Sequence, residues 1–106
     1  MAKTNSDQVY NGTLTTTETT VATIAANTTF LLKGIIISNA NAADKYAIVK
    51  IDDKRIVSSK PVPTKNSIVL NFEGGVPVLT GKTIKVTGEV ATDMDYYIWG
   101  VNEVTA

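Results

Sequence analysis

Apolar and β-branched residues recur along this chain in short runs separated by turn-forming residues. No window carries a 3.6-residue apolar repeat with helix caps. The clearest strand is Phe30-Leu31-Leu32-Lys33-Gly34-Ile35-Ile36-Ile37-Ser38. Its near-continuous apolar run predicts a central strand buried on both faces, with Gly34 marking a bulge or a close backbone approach. Tyr46–Ile51 and Arg55–Ser58 flank Asp52-Asp53-Lys54, a short polar connection that predicts a hairpin. Pro61 and Pro63 are expected to stop that second strand. Ile68, Leu70 and Phe72 alternate on one face of the next strand, which Glu73-Gly74-Gly75 is expected to turn. Val76–Leu79 is held to an edge or a bulge by Pro77, and Thr80-Gly81-Lys82 turns again. Ile84 and Val86 then alternate with Thr83, Lys85 and Thr87, and Tyr96–Val101 closes the series.

The first eight residues are polar and read as a mobile N-terminal arm. Residues 9–29 are rich in threonine, which is β-branched and favours extended backbone while its hydroxyl keeps the segment soluble. One or two strands are expected there, at an edge or reaching toward a neighbour. The whole pattern predicts an all-β protein. Residues 9–106 are expected to form a single antiparallel β-sandwich of about seven to eight short strands, jelly-roll-like or immunoglobulin-like in layout.

Composition narrows the chemistry. The chain of 106 residues contains neither histidine nor cysteine, so imidazole proton transfer, thiolate catalysis and thiolate metal sites are all excluded. Ten basic residues balance ten acidic ones, which speaks against electrostatic capture of nucleic acid or of an anionic membrane. The first residues lack the apolar stretch of a signal peptide, so synthesis in a cytoplasm without general export is expected. Asp52-Asp53 and Asp93-Met94-Asp95 are the close carboxylate pairs, and neither has the spacing of a calcium loop or of a glycosidase pair. Gly81-Lys82-Thr83 ends like a phosphate loop, but Val76 stands where the earlier glycine is required. No catalytic residue, metal or cofactor is expected.

Two sets of residues are candidates for contact. Val9, Tyr10, Thr13, Thr15, Thr17 and Val21 are the expected assembly surface, since an edge segment can add a strand to another chain. Tyr96, Tyr97 and Trp99 are the candidate aromatic contacts. Alternation puts Tyr97 and Trp99 on one face and Tyr96 on the other. A single tryptophan in a domain this size is expected to plug the core with tyrosines at its rim.

Three stretches, 23–39, 60–70 and 76–87, together resemble small β-sandwich virion proteins of tailed bacteriophages. The likeness lies in the scheme of strand, hairpin, prolines with a polar turn, strand, then a glycine turn and strand. It implies a non-enzymatic subunit of a phage particle, foremost a capsid decoration or cement protein made in the host cytoplasm. It also implies a homo-oligomer, a trimer in the first instance, whose partners are a major capsid, neck or tail protein. A tail or neck accessory module that binds host-surface carbohydrate is the alternative. A small hydrolase would have only Asp, Glu and Lys to work with and shows no constellation.

Overall fold

The computed structural model describes residues 3–105 and contains only strands, turns and connections among them. The strands are β1 (Lys3–Thr13), β2 (Thr19–Thr23), β3 (Thr28–Asn39), β4 (Lys45–Ile51), β5 (Lys54–Val62), β6 (Asn66–Val78), β7 (Thr83–Gly88) and β8 (Met94–Thr105). They form two four-stranded antiparallel sheets in the orders β1-β8-β3-β6 and β2-β7-β4-β5. The expected all-β sandwich is what the chain forms.

Each sheet turns one face inward, as the period-two alternation of a strand requires. Phe30, Leu32, Ile35 and Ile37 of β3, with Met94 and Ile98 of β8, meet Ala47, Val49 and Ile51 of β4 and Ile84 and Val86 of β7. The inward positions of β3 change parity between Leu32 and Ile35, because a bulge at Lys33 shifts the register against both neighbours. A straight strand would have carried Ile35 and Ile37 to the outside. The β4–β5 hairpin closes through Asp52 and Asp53, both at positive φ (51° and 59°), the geometry of a two-residue type I′ turn. Leu14 is fully buried where the chain crosses between sheets, its N–H bonded to the Met94 carbonyl at 2.7 Å.

Four expectations are corrected. Residues 3–8 of the supposed arm are the first half of β1, paired in register with β8 from Lys3–Thr105 onward. Backbone bonds hold them there, since Lys3–Asp7 are exposed; Met1 and Ala2 lie outside the described residues. β3 is central but buried on one face only, because among the described residues no third layer covers the sheet. Pro61 lies inside β5, an edge strand that tolerates a missing N–H. Glu73-Gly74-Gly75 does not turn the chain: residues 72–75 form a wide bulge in β6 opposite Lys33, with Gly74 and Gly75 at φ 81° and 83°. The Thr-rich segment does supply two edge strands, the end of β1 and β2.

Candidate docking face and strand edge

The register of β1-β8-β3-β6 sets side chains in rows across its outer face. One row runs Val9, Trp99, Gly34, Asn71, and the next runs Asn11, Tyr97, Ile36, Val69. Asp7 and Val101 flank the first row, while Thr13, Asp95, Ser38 and Ser67 flank the second. Gly34 makes room for Trp99: a Cβ at that position would lie 2.1 Å from Cζ2 of the indole. The ring therefore lies across the backbone of β3, 6.2 Å from the Tyr97 ring at an interplanar angle of 48°. Tyr97 is 43% exposed and Val69 55%. Ile36, Trp99 and Val101 are half-buried by neighbours on this face and do not join the core.

Asp7 and Lys33, with Val9, Ile36, Tyr97, Trp99 and Val101, line a shallow depression of about 570 Å³. Among the described residues neither Asp7 nor Lys33 is ion-paired within the chain. The surface is a broad apolar strip with two solvated charges, suited to burying against another polypeptide or a flat ring system. Among the described residues no group of three or more Asp, Glu, His or Cys converges as metal ligands. No helix there is long and apolar enough to cross a membrane.

The expected assembly residues do not share one surface. Val9 lies on the apolar strip and Thr13 at its end, where its hydroxyl donates to Asp95 Oδ1 at 2.8 Å. Tyr10 points inward and meets Phe30 edge-on at 5.4 Å, and burial raises its hydroxyl above the ordinary tyrosine pKa. Thr15 and Thr17 lie in the β1–β2 connection, the Thr15 hydroxyl bonded to the Thr17 carbonyl. Val21 is half-buried against the core from β2.

Of the aromatic set, Tyr96 faces inward, its hydroxyl 3.0 Å from where a Cβ on Gly12 would stand; burial raises its pKa too. Tyr97 and Trp99 face outward together. The expectation that Trp99 plugs the core is overturned, because Met94 and Ile98 take the fully buried inward positions of β8 and Trp99 has the opposite parity. The paired carboxylates do local work. Asp93 Oδ2 accepts from Asn41 at 2.7 Å, and Asp52 and Asp53 pair with Lys82 and Lys85. Sequence reasoning missed Ile36, Val69 and Val101 as surface residues. Their signal was apolar alternation opposite Ile35 and Leu70, masked by the continuous run in β3.

No protein-family model matches the chain, and no curated protein matches it in sequence. Its fold is similar to that of a chain in the acidic stable capsid structure of Helicobacter pylori bacteriophage KHP30. That likeness has a TM-score of 0.57 at 6% sequence identity and covers 99% of this chain and 95% of that one. At such identity the likeness is one of fold. The class is an eight-stranded antiparallel β-sandwich of a kind found in a phage capsid.

Proposed function

We propose that this chain is a non-enzymatic structural subunit of a bacteriophage particle, acting as a capsid decoration protein. The observation that carries the reading is the apolar outer face of β1-β8-β3-β6, not covered by any other described element of the chain, on a fold similar to that of a phage capsid chain. On this reading Tyr97, Trp99, Ile36 and Val69 bury against the shell, and Lys33 beside them orients the contact. Short contacts repeated over a symmetric shell gain by avidity what each lacks alone. Synthesis is in the host cytoplasm, and the working location is the virion.

The test is incorporation. Particles purified from an infected culture should contain the chain in stoichiometric amount, and the variant Val69→Lys should fold but stay in the supernatant. Particles that lack the chain would overturn the proposal. A second reading, a tail or neck module binding host carbohydrate, draws support from Tyr97 and Trp99 lining a shallow depression on the surface. It requires a change in Trp99 fluorescence on adding a bound glycan, which the decoration reading does not.

A further inference from the structure

The four edge strands of the sandwich are not equally protected, and the exception is β1. Edges invite pairing with other chains, and proteins blunt them with short strands, bulges, prolines and charges. β2 has five residues and a bulge between Thr20 and Ala22. β5 shifts register twice against β4, holds Ser59 at positive φ, and carries Lys54, Arg55, Lys60 and Pro61. β6 is broken by the bulge at residues 72–75 and by Pro77. β1 runs eleven residues in one unbroken register with no proline.

The hydrogen-bonding groups on that edge can be assigned. Leu14 donates to the Met94 carbonyl in line with the β1–β8 register, so the even residues of β1 bond to β8. The odd residues then turn N–H and C=O to the open side. In keeping with this, the Val9 carbonyl accepts a side-chain bond from Gln8 Nε2 at 3.2 Å. Beyond Gln8 toward the N-terminus, Thr4 and Ser6 are exposed on the inward face, so this end of the sheet projects past its partner sheet. Another molecule can approach it there without meeting the body of the sandwich.

We propose that β1 pairs antiparallel with β1 of a second copy, across a two-fold axis at Asn5, joining two four-stranded sheets into one of eight strands. The charges choose both occupant and register. β1 carries one cation, Lys3, and one anion, Asp7, on the same face, and neither is ion-paired within the chain among the described residues. Pairing about Asn5 sets Lys3 of each copy opposite Asp7 of the other, twice, with odd residues facing odd residues as the open N–H and C=O groups require. Pairing about Gln8 would overlap more residues but set the two Asp7 carboxylates diagonally near each other. A ring built from edges would need a second straight edge to receive β1, and the other three are interrupted, so the symmetry is two-fold.

The test is the solution mass of the full chain across concentration, by sedimentation, for the wild type and four variants. The wild type is expected to dimerise. Asn5→Pro removes an N–H that points away from β8, so it should give a monomer whose melting curve matches that of the wild type at concentrations too low for the dimer to form. Lys3→Asp or Asp7→Lys should each weaken the dimer about tenfold, and the double variant Lys3→Asp/Asp7→Lys should restore it. A wild type that stays monomeric, a dimer that survives Asn5→Pro, or a double variant as weak as the singles would overturn the proposal. Particle incorporation is read separately. A monomer that still enters virions refutes the pairing and leaves the decoration reading standing.

Discussion

On the outside of β2-β7-β4-β5, Lys50 and Lys85 pair at 2.7 and 2.8 Å with Glu18 and Asp53 of the adjoining connections, and Lys82 and Asp52 pair at 3.6 Å between two turns at its end. On the outside of β1-β8-β3-β6 the two middle rows hold Val9, Ile36, Val69, Tyr97 and Trp99, with Lys3, Asp7, Asp95 and Glu103 toward the ends. Both faces sit on the same shared core and on strands of the same kind, so folding does not require them to differ. The first is satisfied in water by charge against charge. The second keeps apolar area in contact with water, at about 25 cal/mol per Å² of lost burial, and gains from any partner that covers it. The apolar area open to a partner therefore lies on the β1-β8-β3-β6 side.

The comparison breaks most visibly at what the two sheets share. Leu14→Ala should cost about 2–5 kcal/mol in denaturant unfolding, because the residue is fully buried at the crossing between sheets and Gly88 packs against it. Loss on that scale would leave both faces equally disabled. Gly34→Ala separates them. Its new Cβ cannot coexist with the indole as placed, so overpacking of about 1–3 kcal/mol is expected, relieved if Trp99 swings outward. Trp99 emission should shift to the red while the ion-paired face is unaffected. An unchanged spectrum and melting temperature would show that the indole does not lie on β3.

Smaller effects sharpen the contrast. Val69→Lys should change stability by no more than about 0.5 kcal/mol and abolish particle association. Lys50→Ala removes the Glu18 pair, and because both side chains are partly solvated its cost should be about 0.2–1 kcal/mol, fading in 1 M salt, without any loss of association. Smallest is the acid response of Asp53. The Lys85 hydrogen bond and charge hold this carboxyl below its ordinary pKa, so the pair's stabilisation is present above that ordinary value and is lost as pH falls through the lowered one. Asp53 is exposed, and salt should erase the effect.

The sequence disclosed the layered β architecture because its alternations are strong: Ile84 and Val86, Ile68 and Leu70, and the Asp-Asp hairpin are all where period and turn chemistry put them. Gly34 was legible as the mark of a bulge or a close approach: the bulge falls at Lys33 beside it, and the close approach is that of Trp99. β1 was misjudged at its start because Lys3–Gln8 offer no apolar alternation; main-chain bonds to β8 hold that segment, and those leave no mark on side-chain pattern. Trp99 was misplaced for a different reason. Parity showed that it sides with Tyr97 against Tyr96, but which parity faces inward depends on Gly34 across the strand. The apolar strip stayed hidden because Ile35-Ile36-Ile37 reads as a strand buried on both sides, and only the absence of a third layer turns Ile36 into a surface residue.

Each outer face carries one exposed tyrosine, Tyr97 at 43% and Tyr46 at 38%, which makes a matched pair of reporters. Hydroxyl-radical footprinting of the free chain against the particle-bound chain should protect Tyr97 and leave the oxidation of Tyr46 unchanged. Protection of Tyr46 with Tyr97 still reactive would contradict the assignment of the docking face.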